Sequence, residues 1–205
     1  MIPDSFFTIS KSTEGEFKDK GSKFIGFAIP VQDEEEAKNF LKLIRKEHHA
    51  AAHVCWAYKL GYNGENEKSS DDREPSGSAG RPILRTILEK KITNVLVAVV
   101  RYFGGKLLGV PGLIHAYSQA SLEALNIGNV VERYLYFSIF QPCEYAQQHE
   151  IIRLCKQNQL KFFPDNYSSI PGITFEVSSS QKMEIIESLE KLGFLSSIEL
   201  KILVV

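Results

Sequence analysis

Cysteine is scarce in this chain: Cys55, Cys143 and Cys155 are an odd number without C-x-x-C spacing. That excludes a disulfide framework or a zinc ribbon as the source of stability. An excess of one charge is missing too, since the formal net charge over 205 residues is −1. Residues 132–205 hold seven Lys/Arg against nine Asp/Glu, so neither half makes a bulk-charge case for nucleic acid. The longest apolar runs, such as Val95 to Val100, are too short to span a bilayer, and the N-terminus carries Asp4 and no apolar signal-peptide core. A cytoplasmic protein without membrane association is expected. Three catalytic signatures are also absent: the P-loop, the G-x-G-x-x-G turn of dinucleotide folds, and the G-x-S-x-G elbow of serine hydrolases.

What is present suffices for a proper core, with 43% hydrophobic residues in a length that suits one large domain or two small ones. Phe6 to Ile9 and Phe24 to Val31 are rich in aromatic and β-branched residues, and Lys20-Gly21-Ser22 supplies a turn, so the start predicts antiparallel strands. Asp33 followed by Glu36 marks a helix start, and Ala37, Phe40, Leu41 and Ile44 keep helical spacing. Val54 to Leu60 predicts a strand, Gly61 to Gly80 a mobile polar loop, and Pro82 to Lys91 a helix. Val95 to Phe103 predicts a strand buried on both faces. A helix from near Pro111 follows, stopping at Gly128. Beyond Val130 the order is strand (135–140), helix (145–157), strand (160–163), strand (173–177), helix (182–192), strand (198–205). That is βαββαβ, which predicts a ferredoxin-like sandwich. The fold class expected is α+β, with an α/β domain over residues 1–131 and the sandwich over 132–205.

Two stretches concentrate glycine, proline and charge: DDREPSGSAGRPIL from Asp71 to Leu84, and RYFGGKLLGVPGLIHAY from Arg101 to Tyr117. A core alone does not require such residues, so one site built from two loops is expected. Between Arg81 and Lys106 stand six cations (Arg81, Arg85, Lys90, Lys91, Arg101, Lys106) against Glu89 alone, a candidate anion-facing surface. Lys90 and Lys91 have a second explanation, because a helix C-terminus favours cations.

These stretches resemble the YigZ/IMPACT family. Its first motif, E-P-S/A-G-S/T-A-G-R/K-P, stands here as Glu74, Pro75, Ser76, Gly77, Ser78, Ala79, Gly80, Arg81 and Pro82. Its A-H-x-C-x-A element stands as Ala52, His53, Cys55 and Ala57. The chain departs from the pattern at Arg73 and Pro111, where the family commonly has glycine. The resemblance implies a bacterial-type member with an N-terminal domain like the second domain of a ribosomal small-subunit protein. It implies a C-terminal domain like the last domains of elongation factor G, and a translation-linked regulatory role. Eukaryotic members act through an added partner-binding domain, so their partnership is not carried over.

The glycines Gly104, Gly105 and Gly109 let backbone approach a ligand, and the helix that follows leaves amides free for an anion beside Lys106. Packing at a strand-to-helix turn is the competing explanation. Ser76 and Ser78 offer hydroxyls to the same anion. Asp72 and Glu74 are acid-base candidates, with a solvated loop as the alternative, and Arg73 is placed to pair with Asp71 or Glu74. His53 and Cys55 share one strand face, where an imidazole would activate a thiol unless the cysteine is simply core. Of Tyr102 and Phe103, one at most can face outward to stack on a base.

The leading expectation is a non-enzymatic regulator that contacts structured RNA or a ribosome-associated protein through Arg81, Arg85, Arg101, Lys106 and the adjacent loops. The alternative is an enzyme or sensor holding a small phosphorylated ligand between residues 71–82 and 104–112. No cofactor and no metal are expected.

Overall fold

The computed structural model describes residues 2–165, 170–194 and 199–204. The expected ends of the last strand, Ile198 and Val205, lie outside them. The elements in chain order are β1 (Ser5–Ile9), β2 (Thr13–Asp19), β3 (Ser22–Pro30), α1 (Glu34–Glu47), β4 (His53–Leu60), β5 (Asn66–Ser70), α2 (Gly80–Glu89), β6 (Val95–Tyr102), α3 (Gly109–Ile127), β7 (Val130–Pro142), α4 (Gln148–Gln157), β8 (Lys161–Asp165), β9 (Gly172–Ser178), α5 (Lys182–Lys191) and β10 (Glu199–Val204). They form two compact units: Phe6–Glu132, and Met1–Ser5 together with Arg133–Val205.

In the first unit the strands run β2-β3-β6-β4-β5, with every neighbouring pair antiparallel. The central strand β6 is buried from Val95 to Val100, and period-two alternation divides its side chains between two cores. Val95, Val97 and Val99 meet Phe24, Ala28, Cys55 and Ala57 under α2 and α3, which contribute Ile83, Ile87, Leu113, Tyr117 and Ala120. Leu96, Ala98 and Val100 meet Ile25, Ile29 and Tyr58 under Ala37, Leu41 and Ile44 of α1. Helix α1 begins as its sequence dictates: Asp33 Oδ1 accepts the Glu36 amide at 2.8 Å, and Glu36 Oε2 accepts the Gln32 amide at 2.8 Å. Helix α3 lies so close to β3 that a Cβ on Gly26 would collide with the Ala120 carbonyl.

Two strands were not expected. β5 (NEKSS) is the polar edge of the sheet, so it lacks the apolar alternation that marks a strand, although it pairs with β4 from Trp56↔Ser70 to Leu60↔Asn66. Residues 66–70 are therefore sheet rather than the mobile loop expected from Gly61 to Gly80. β2 pairs with β3 through the turn at Lys20 (φ 46°) and Gly21 (φ 83°).

In the second unit β10, β7, β9 and β8 lie in that order, all antiparallel. Phe137, Ile139, Ile173, Phe175 and Val177 share one face and pack with Ile151 and Leu154 of α4 and Ile185 and Leu189 of α5. The βαββαβ order with both helices on one side agrees with the expectation from periodicity. The first residues belong here through the Leu135 amide, which donates to Asp4 O at 2.8 Å, and the Ser180 amide, which donates to Asp4 Oδ1 at 2.8 Å.

Candidate functional site

The segment between β5 and α2 is pinned by its own acidic residues. The Glu74 amide donates to Asp71 O at 2.9 Å, closing a turn in which Asp72 (φ 39°) and Arg73 (φ 71°) both take the left-handed conformation. That conformation is costly for residues with a Cβ and persists where the surroundings enforce it. Helix α2 begins without a side-chain cap of its own, because Ala79 occupies that position. Asp71 supplies the cap from a distance: Oδ1 accepts the amides of Ala79 (3.0 Å) and Gly80 (2.8 Å), and Oδ2 accepts that of Gly77 (2.9 Å). Burial works to raise the Asp71 carboxyl, and the three amides with Arg81 outweigh it, holding it below its ordinary value. Asp72 continues the ladder where β5 ends, its Oδ2 accepting the Val54 amide at 2.7 Å and Arg45 Nη1 at 3.0 Å. Burial again opposes these donors, and the net shift is downward.

Glu74 turns into the interior and is 8% exposed. Its Oε1 accepts Arg101 Nη1 at 2.6 Å and the Tyr117 hydroxyl at 2.8 Å. The Arg101 guanidinium lies 5.5 Å from the ring centroids of both Phe24 and Phe103, and its buried Nε has no hydrogen-bond partner among the described residues. His53 Nδ1 donates to Asp72 O at 2.8 Å, which leaves Nε2 3.8 Å from Glu74 Oε1. Cys55 Sγ donates to Asp71 O at 3.0 Å, and burial pushes the thiol up to about 12. An activated thiolate beside His53 is therefore not what the strand builds. The Tyr117 hydroxyl is also pushed upward, first by burial and then by the neighbouring Cys55 and Glu74.

The two motif stretches thus meet, through Glu74 with Arg101 and Tyr117. The meeting place is the strand before the glycines and the helix after them. Arg101, expected on an open basic surface, is 5% exposed and committed to Glu74. Asp72 and Glu74, the acid-base candidates, have their carboxylates engaged as described. Ser78 is buried, its hydroxyl donating to Pro75 O at 2.6 Å, whereas Ser76 is exposed. Arg81 and Arg85 are exposed on α2, and Arg85 Nε pairs with Glu89 Oε1 at 2.9 Å. Arg73 lies within 4.0 Å of Asp72 rather than pairing with Asp71 or Glu74.

Gly104, Gly105 and Lys106 lie exposed in the loop between β6 and α3, and Gly109 is the exposed first residue of α3. The Gly104 amide donates to Ser22 Oγ at 3.1 Å, and the backbone there packs so tightly on Gly21 that no Cβ fits. Tyr102 turns toward the α1 side, its hydroxyl 2.9 Å from His48 Nδ1, while Phe103 is 52% exposed and Leu107 is 85% exposed. Pro111 sits in the first turn of α3, where its missing amide hydrogen breaks no helical bond. Among the described residues no group of three His, Cys, Asp or Glu side chains is arranged to hold a metal, and no helix is long and apolar enough to cross a membrane.

A five-stranded antiparallel sheet between helical layers, carrying the Glu74–Arg101–Tyr117 cluster, places the first unit in a definite class: the Impact N-terminal domain matches residues 20–125. The chain is 35% identical over 178 residues to the IMPACT family member YvyE of Bacillus subtilis, covering 87% of this chain and 81% of that protein. It is 33% identical over 152 residues to the family member YigZ of Escherichia coli, covering 73% and 74%. A crystal structure described as a hypothetical protein superposes over 96% of both chains at a TM-score of 0.67 and 28% identity. The chain belongs to the IMPACT family.

Proposed function

We propose that this chain is a translation-linked regulatory protein of the cytoplasm, contacting RNA or a ribosome-associated protein through the Phe103–Leu107 loop. Family membership supports the regulatory role. The observation that carries the contact is the loop itself: an exposed Phe103 beside the exposed cation Lys106, with the preceding Arg101 locked to Glu74 beneath. An aromatic face next to a cation is how unpaired bases are held, at about 1–3 kcal/mol per stacked base. Bracing from below limits the ordering cost on binding. Arg101 serves as the mount rather than as a contact.

The test is binding of purified protein to ribosomes and to structured RNA across a salt series. Lys106→Glu should lower the salt slope by about one and weaken binding of every RNA alike. Wild-type affinity in that variant contradicts the proposal.

A second reading, capture of a small phosphorylated ligand, is favoured by one observation: α3 begins without a side-chain cap, leaving first-turn amides beside Lys106. Saturable binding of a phosphate ester, lost in Lys106→Glu and indifferent to RNA, selects that reading.

A further inference from the structure

A groove of about 380 Å³ runs between α2 and α3, and no residue of the Phe103–Leu107 loop lines it. Its two banks differ in chemistry. On α2 the row is Arg81, Arg85 and Glu89; on α3 it is Ile114, Ser118 and Leu122. Both rows keep the i, i+4, i+8 spacing of one helix face, so each bank is about 12 Å long. Pro82 and Thr86 are buried between them and form the floor. Ile114 is 40% exposed, and Val110, one turn earlier on α3, is 47% exposed, so the apolar row continues toward the helix start.

We infer that the α2–α3 groove is a docking site for an amphipathic, acidic helix of a protein partner. The apolar bank asks for apolar side chains at i, i+3 or i+4, and i+7. The α2 bank asks for carboxylates opposite Arg81 and Arg85. Arg81 makes no ion pair among the described residues, and the Arg85–Glu89 pair is solvent-exposed, with side chains 80% and 56% accessible. Such a pair costs little to exchange for a partner's carboxylate. Glu89 at the far end of the row favours a cation there, which fixes the direction in which the partner helix lies. A polyanionic nucleic acid fits less well, because the facing bank is apolar and Glu89 repels phosphate. This site does not depend on the Phe103 loop.

The test uses the full chain and a display library of random helical peptides of roughly 16 residues, about 24 Å long as helices. Selection is on the wild type, with counter-selection on Arg81→Glu/Ile114→Lys. Recovered peptides should pair helical apolar spacing with Asp or Glu on one flank and bind with micromolar Kd. They should lose at least about tenfold in affinity to Arg81→Glu and to Ile114→Lys separately, and nothing to Phe103→Ala. Both substituted positions are exposed, and an unchanged Trp56 fluorescence melt establishes that the variants are folded. Basic or aperiodic peptides, or binding indifferent to both variants, overturn the inference. So does a library yielding nothing beyond the counter-selected background. A concentration-dependent dimer, or RNA binding, that is lost in the same variants also overturns it.

Discussion

Replacing Glu74 with leucine puts an apolar side chain of comparable size in its place and removes the carboxylate. Arg101, whose side chain is 7% exposed, then holds a buried charge with no counter-ion, and the Tyr117 hydroxyl loses its acceptor. Stranding one partner of a buried pair costs about 3–5 kcal/mol. An unsatisfied buried hydroxyl adds about 1–3 kcal/mol, less whatever it recovers by turning toward another acceptor. The sum is a large share of a typical stability of roughly 5–15 kcal/mol. A drop in melting temperature of roughly 10–20 °C is expected for a unit of this size. The assay is unambiguous because the chain has one tryptophan, Trp56, which lies on β4 of the first unit, so intrinsic fluorescence follows that unit. Adding Arg101→Met removes the stranded charge and should restore most of the loss, leaving about 1–3 kcal/mol for Tyr117. A single-variant loss below about 1 kcal/mol, or a double variant no more stable than the single, refutes the buried pair as the mount of the site.

Three further outcomes are expected. Arg73→Gly should stabilise the first unit by about 0.5–1 kcal/mol in urea titration, because glycine relieves the left-handed strain at φ 71° by more than its added chain entropy costs. Asp71 has a folded-state pKa below its unfolded value, so its contribution is complete above roughly pH 4 and is lost as pH falls through the folded value. Asp71→Asn should therefore flatten the acid limb of the stability profile while lowering stability at neutral pH, both read by Trp56 fluorescence. Gly26→Ala should destabilise by about 1–3 kcal/mol or more, since the new Cβ meets helix backbone that has nowhere to move, as a thermal melt would report.

Much of the fold is legible from periodicity. The unbroken apolar run from Val95 to Val100 marks the strand covered on both faces, and Asp33 with Glu36 marks the start of α1. β5 escapes notice because an edge strand exposes its side chains and needs no apolar alternation. The burial of Arg101 is the most instructive difference. Charge alone suggests a surface position, yet residue 101 continues a strand covered on both faces and shares parity with Val95, Val97 and Val99, which face α2 and α3. That alternation was available in the sequence and outweighs the charge once Glu74 supplies the counter-ion. The capping of α2 by Asp71 was not available, because the carboxylate reaches amides six to nine residues ahead across a turn made of two left-handed residues. Short-range capping rules do not extend so far. At Arg73 the backbone takes a positive φ that glycine adopts without strain, so the arginine stands there against the local conformational preference, which the sequence alone does not reveal.

The most direct measurement is site-specific photo-crosslinking in ribosome-containing fractions, with a benzophenone side chain at position 103 and, as a control, at position 43. Phe103 is 52% exposed on the glycine loop and Leu43 is 60% exposed on α1. Crosslinks to ribosomal RNA or to a ribosome-associated protein are expected from position 103, and none from position 43. Equal crosslinking from both positions, or none from position 103, contradicts the proposed contact.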